Sequence, residues 1–170
     1  HTAAAATWGA VSELAAAIFE EAGYRVALSG GVRFKIGASE ELNLTRMTMP
    51  GRFFLQRFLR HAVSAGCTHA IIEMTSEGAA QHRHRFLALD ALVFTNLAPE
   101  HIESHGSYEA YRDAKLSIAR ALSRSHKRAR SIVVNIDDAE GKHFLDAAHP
   151  AEQRPFSLKD AGPFEIKNDG

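Results

Sequence analysis

The sequence predicts an α/β fold: a doubly wound, mostly parallel sheet flanked by helices. Three observations carry this. His69 to Met74, Leu89 to Phe94 and Ser131 to Asn135 are short aliphatic, β-branched-rich runs of the kind buried in a parallel sheet. Stretches with helical apolar spacing alternate with strand runs. Polar residues able to do chemistry stand at the ends of those runs, where open α/β sheets place their ligands.

Each element follows from its local pattern. Val11, Leu14, Ala15, Ile18, Phe19 and Ala22 recur at helical spacing, so the chain opens with an amphipathic helix that Gly23 ends. Tyr24 to Leu28 reads as a strand leading to Ser29-Gly30-Gly31. Val32 to Ile36 and Leu42 to Met47 read as further strands around a Gly37 turn. Pro50 suits the first position of a helix through Ala65, with Phe54, Leu55, Phe58, Leu59 and Ala62 on its apolar face. A helix spans Tyr108 to Leu122, and another follows Glu140-Gly141. Residues 1–148 therefore form the α/β body, and residues 149–170, with Pro150, Pro155 and Pro163, read as loop with one or two short strands.

Bulk properties narrow the function classes. The chain has 170 residues, the length of one domain with an ordinary core. Lys plus Arg equals Asp plus Glu at 20 each, so charge does not argue for nucleic acid or an anionic membrane. No apolar run approaches a membrane span, and the expectation is a chain without a signal peptide. Cys67, the one cysteine, rules out an intramolecular disulfide and fits a reducing compartment, so the expectation is a cytoplasmic protein.

The chemistry-bearing residues each carry an ordinary alternative. Glu73 follows Ala70-Ile71-Ile72 at a strand end, with Thr75 and Ser76 beside it. A carboxylate there can hold Mg²⁺, which favours a few hard oxygen ligands with phosphate and water, or it can simply be solvated. His101 and His105 share a helical spacing, but no cysteine stands near to complete a zinc set. His82 and His84 alternate with Arg83 and Arg85 as a polar, anion-facing segment. Lys115 falls within the stripe of Tyr108, Tyr111, Ile118, Ala119 and Leu122, so it either snorkels its stem or performs chemistry. Asn135-Ile136-Asp137-Asp138 ends a strand, where an Asp can cap the next helix.

In order and spacing these segments resemble the central ATPase domain of the Mur ligases, nearest to the branch that adds the third peptide residue of the cell-wall precursor. The carriers are Thr48-Met49-Pro50, Glu73-Met74-Thr75-Ser76, Gln81-His82-Arg83, Thr95-Asn96-Leu97 with Glu100-His101 and His105-Gly106, Tyr111 with Ala114-Lys115, and Asn135 with Asp137-Asp138. The resemblance implies a ligase of peptidoglycan synthesis that uses ATP and Mg²⁺ to turn a substrate carboxylate into an acyl phosphate, which an amine then attacks. It implies Glu73 and His101 as metal ligands, and Lys115 as a carbamylated, catalytic partner of the metal. It implies Thr48, Thr75, Gln81 and Arg83 as contacts to a UDP-MurNAc-peptide, and Asn135 and Asp138 as nucleotide contacts.

The start of the chain departs from that pattern. Ala4, Ala5, Ala6, Thr7, Trp8, Gly9 and Ala10 stand where the family has its glycine-rich phosphate loop, with Trp8 in the lysine's place, and the domain is expected to lack the strand that precedes the loop. Glycines let backbone N–H groups turn toward a phosphate and the lysine supplies charge. Alanines favour helix continuation instead. Gly31 replaces a threonine usual after Gly30, and Glu77 a frequent histidine. The expectation is a domain that has lost ATP binding and is inactive alone, with an open sheet edge through which two chains could pair. The alternative is a non-catalytic α/β scaffold whose motifs are relics.

Overall fold

The computed structural model describes residues 3–98, 102–160 and 162, with side chains described from Gly9 onward. The chain forms two compact units, residues 1–87 and 88–170.

In the first unit, helix α1 (Ala3–Glu21) packs beside strand β1 (Val26–Ser29), which pairs antiparallel with β2 (Arg33–Ile36). Strand β3 (Ser39–Leu42) continues that meander, and β4 (His69–Ile72) joins the other side of β1 in parallel, giving the order β3-β2-β1-β4. Helix α2 (Arg52–Ser64) covers one face through Phe58 and Ala62, which cluster with Ala27 and Phe34. On α1, Ala16 clusters with Val26 and Leu28. A short helix α3 (Ser76–Ala80) follows β4.

The face of α1 differs from the predicted stripe. Leu14 and Ile18 are 62% and 59% exposed, whereas Ser12 and Ala16 are buried. Small side chains let the helix lie close to β1, and two ion pairs set its rotation. Arg33 of β2 meets Glu13 at 2.6 Å and Lys35 meets Glu20 at 2.7 Å. The third strand also lies earlier than expected. Ile36 pairs with Ser39 across a tight turn in which Gly37 takes φ +59°, so residues 39–42 and not 42–47 complete the meander. Residues 43–47 form a loop instead. Its organiser is Asn43, whose Nδ2 donates to the carbonyls of Gly30 and Met47, both at 2.9 Å, and whose Oδ1 accepts from the Thr45 N–H at 3.1 Å. Pro50 lies one residue before Gly51, the N-cap of α2.

The second unit is a parallel sheet of β5 (Ala91–Phe94), β6 (Ser131–Asn135) and β7 (Glu152–Phe156), in that order. Helices α4 (Ile102–His105), α5 (Tyr108–Ser123) and α6 (Gly141–Ala148) complete it, with a 3₁₀ turn at Leu158–Asp160. Leu116, Ala119 and Leu122 of α5 and Phe144 of α6 bury against Phe94, Ile132 and Val134. Phe94 and Phe144 stack at 3.9 Å between ring centroids. Gly141 lets α6 start hard against the end of β6: a Cβ there would stand 2.5 Å from the Asn135 carbonyl oxygen. Each sheet thus ends on an apolar strand paired on one side only, β4 in the first unit and β5 in the second.

Candidate functional site

In the first unit, the ends of β1 and β4 gather most of the predicted substrate residues around one turn. Glu73, half-buried just past β4, accepts the Gly31 N–H through Oε2 at 3.0 Å, and its own N–H donates to the Ser29 carbonyl at 2.9 Å. Its other carboxylate oxygen has no protein partner among the described residues. Glu73 is therefore neither plainly solvated nor fully engaged. Thr48 stands over the same turn, its Oγ1 3.1 Å from where a Cβ on Gly31 would lie.

Thr75 caps α3, accepting the Gly78 N–H at 3.1 Å, so its hydroxyl proton is still available. Gly78 in turn leaves room for Met49, whose side chain fills the space a Cβ would need. Arg83 closes the ring. Its guanidinium donates to the Met49 carbonyl and reaches the Met47 sulfur at 3.6 Å, while Gln81 Oε1 accepts from Arg83 Nε at 3.1 Å and Nη2 at 2.6 Å. Glu73, Thr48, Thr75, Gln81 and Arg83 are thereby tied into one patch. Of the two residues that hold its loop in place, Asn43 was not singled out from the sequence and Met49 entered only as the middle of the Thr48-Met49-Pro50 motif. A buried methionine beside a helical glycine gives little signal on its own.

The histidine–arginine segment is not uniformly exposed. His84 is buried and its Nδ1 has no hydrogen-bond partner among the described residues, whereas His82 and Arg85 are exposed. Burial holds the His84 imidazole below its ordinary pKa, with the charges of His82 and Arg85 adding to the shift.

In the second unit, Lys115 lies inside the domain at 6% exposure and does not snorkel. Its Nζ sits 5.6 Å from the centroid of the Tyr111 ring, and His105 meets the same ring edge-on at 5.4 Å. The aromatic face thus holds a cation on a helix that is otherwise apolar at that position. His105 Nε2 is buried without a hydrogen-bond partner among the described residues. His101 lies outside the described residues.

Asn135 and Asp138 organise the turn between β6 and α6. Asn135 Nδ2 donates to the Thr95 carbonyl at 2.9 Å, and its Oδ1 accepts the Asp137 N–H at 3.0 Å. Asp138 accepts the Leu97 N–H at 2.8 Å with one oxygen and the Glu140 N–H at 2.8 Å with the other. Asp137 faces outward, where the Ser157 hydroxyl at 2.7 Å and the Leu158 N–H at 2.8 Å hold its carboxyl below the usual range.

Glu140 was read only as leading into a helix. It is a buried hub that accepts the Tyr108 hydroxyl at 3.1 Å and His143 Nδ1 at 2.8 Å, with Arg112 at 3.8 Å. Burial first, then the bond to Glu140, raises the Tyr108 pKa. No group of three or more metal-ligating side chains occurs among the described residues. No helix among them is long and apolar enough to cross a membrane.

Each unit thus carries polar side chains at the carboxyl ends of its strands, the edge at which α/β domains bind their ligands. The chain belongs to the Mur ligase family, whose middle domain matches residues 9–166. It is 35% identical over 149 residues to UDP-N-acetylmuramyl-tripeptide synthetase of Roseiflexus sp. (strain RS-1), covering 83% of this chain and 29% of that protein. It is also 35% identical over 156 residues to UDP-N-acetylmuramoyl-L-alanyl-D-glutamate--2,6-diaminopimelate ligase of Ectopseudomonas mendocina (strain ymp), covering 91% of this chain and 30% of the relative. A solved structure of a 2,6-diaminopimelate ligase of the same name superposes with a TM-score of 0.71 at 27% identity, over 88% of this chain and 29% of that one. The chain therefore spans under a third of the length of these relatives.

Proposed function

We propose that this chain is a Mur ligase middle domain that keeps its grip on a UDP-MurNAc-peptide but does not hold a nucleoside triphosphate on its first helix. The observation that carries this reading is the course of α1, which is continuous from Ala3 to Glu21. From Thr7 onward helical hydrogen bonding occupies the N–H groups that a phosphate loop would turn toward an anion. Trp8, whose side chain lies outside the described set, brings no charge in place of a lysine.

The rest of the family's machinery is supported residue by residue. Thr48, Thr75, Gln81 and Arg83 form one patch in which the threonine hydroxyls can still donate and the Arg83 charge is held in place, suited to a phosphorylated sugar-peptide. Glu73 offers a free hard oxygen beside hydroxyls, which fits Mg²⁺, and His101 is carried over from the resemblance as a second ligand. A bound Mg²⁺ would neutralise phosphate charge during transfer. Lys115, held on Tyr111 away from bulk water, is suited to carbamylation, which would convert a buried cation into an anion. The full amide-bond-forming activity belongs to the longer relatives and comes to this chain only as part of the proposal. The one-sided strand β4 also supports pairing of two chains, which light scattering would register as a dimer.

Titration with Mg-ATP tests the reading, with Trp8 fluorescence as reporter. We expect no saturable change at millimolar nucleotide, while a UDP-MurNAc-dipeptide raises the melting temperature. Tight, saturable Mg-ATP binding would sink the proposal.

A second reading, a non-catalytic scaffold, is favoured by one observation. Both oxygens of Asp138 and both ends of the Asn135 amide are engaged with the backbone, so these residues have a complete structural role without a nucleotide. Under that reading the UDP-sugar-peptide leaves the melting temperature unchanged.

A further inference from the structure

Between β3 and α2 the first unit carries an open groove of about 580 Å³ that shares no lining residue with the Glu73 patch. That volume lies within the range of small-molecule sites. Its floor is aromatic. Phe34 lies 5.0 Å from Phe54 and 6.1 Å from Phe58 between ring centroids, and Phe54 is the ring left half-exposed to the groove.

The walls carry opposite charges. Strand β3 contributes Glu40 and Glu41, and α2 contributes Arg57 and His61, one helical turn apart. Glu40 is already paired with Arg33. Glu41, Arg57 and His61 have no hydrogen bond or ion pair among the described residues. A carboxylate and a guanidinium thus line one groove without closing on each other, above an apolar ring.

We propose that this groove binds a small zwitterion with an apolar or aromatic side chain, the chemistry of a free α-amino acid. The ligand's ammonium meets Glu41, its carboxylate meets Arg57 with His61 alongside, and its side chain lies over Phe54. A purely cationic ligand would face Arg57, and a purely anionic one would face Glu41, so neither satisfies both walls. The walls are exposed, so each ion pair alone contributes little and affinity needs both together with the ring contact. A dissociation constant on the order of 1 mM follows for a ligand of about a dozen heavy atoms. This site stands independently of the ligase reading.

The test is a ¹H–¹⁵N NMR titration of the chain with L-phenylalanine, with phenethylamine, which lacks the carboxylate, and with 3-phenylpropionate, which lacks the ammonium. We expect saturable shifts at the amides of Phe34, Glu41 and Arg57 with L-phenylalanine, and about tenfold weaker binding of either analogue. Arg57→Gln and Glu41→Gln should each weaken L-phenylalanine binding about tenfold. Arg60→Gln, on α2 but outside the groove, should not change it. The substituted side chains are all exposed, and an unchanged spectrum before titration reports that the variants fold. Equal binding of phenethylamine, saturable shifts confined to other residues, or no saturable shift would each overturn the proposal.

Discussion

Arg83 and Gln81 are locked to each other by two hydrogen bonds, at 3.1 and 2.6 Å, while the same guanidinium reaches across to the Met49 carbonyl. One side chain therefore fixes both the turn after α3 and the loop that carries Thr48. Arg83→Ala should destabilise the first unit by about 1 kcal/mol, the usual net value of such bonds. It should also abolish any melting shift caused by a UDP-MurNAc-dipeptide. Arg83→Lys should fail to rescue, because an ammonium cannot make the forked contact to Gln81. Thermal melting with and without ligand checks both, and full rescue by lysine would contradict the forked arrangement.

The helical course of α1 makes a specific forecast for repair. Trp8→Lys alone should not restore Mg-ATP binding, because the backbone around it remains helical. Only a variant that also places glycines across positions 4–7 should gain saturable binding, read by displacement of a fluorescent nucleotide. Binding by the single substitution would mean that charge, and not backbone freedom, is what the start of the chain lacks.

His84 gives the stability a pH dependence of definite sign. Its folded-state pKa is depressed by burial, so the unfolded chain takes up a proton before the folded one as pH falls through about 6.5. The contribution is fully present above that pH and declines below it, down to the folded-state pKa. Melting temperature should therefore drop more steeply between about pH 7 and 5 in the native sequence than in His84→Leu. Parallel profiles would show that His84 charges freely in the folded chain.

Ser157→Ala should raise the Asp137 pKa toward the ordinary carboxylate value, since the lost hydroxyl is the main group stabilising its charged form. An NMR titration of the Asp137 carboxyl carbon measures this directly. The linked stability is present above the unfolded pKa and lost as pH falls through the folded one, so the variant should be the less stable chain at neutral pH and converge with the native sequence in acid. An unshifted titration would assign the depression to the Leu158 N–H.

Glu140→Ala removes the acceptor shared by Tyr108, His143 and Arg112. Tyr108 and Arg112 are only half-buried and His143 is exposed, so losing their shared partner should cost about 1–2 kcal/mol. Hydrogen exchange should speed up at the Leu97 and Tyr111 amides together, because the hub joins the β6–α6 turn to the start of α5. Faster exchange at only one of the two would show that the hub does not couple them.

The parallel strands and long helices were legible because each depends on its own residues. Ser131–Asn135 and Tyr108–Ser123 match their periodic patterns almost end to end. The third strand was misplaced because Leu42, Leu44 and Met47 look like a strand face, while the Gly37 turn and the Asn43 side chain decide the register. The face of α1 was misjudged for a related reason. Apolar spacing marks a stripe, but Ser12 and Ala16 and two ion pairs choose which side meets the sheet. Motifs singled out Glu73, Thr75 and Arg83, which the first unit gathers in one patch, and Lys115, which is buried in the second. The supporting roles of Met49, Asn43 and Glu140 stayed hidden because they exist only through long-range contacts.

The tight seat of Gly141 under the Asn135 carbonyl has an evolutionary and practical corollary. Because a Cβ at Gly141 would come within 2.5 Å of that oxygen, the five-residue bridge between them behaves as a ruler of fixed span that tolerates no side chain at its far mark. A randomised library across 136–141, sorted for folded protein, should come back diverse at the exposed positions 136, 137 and 139 and monotonous at its last position.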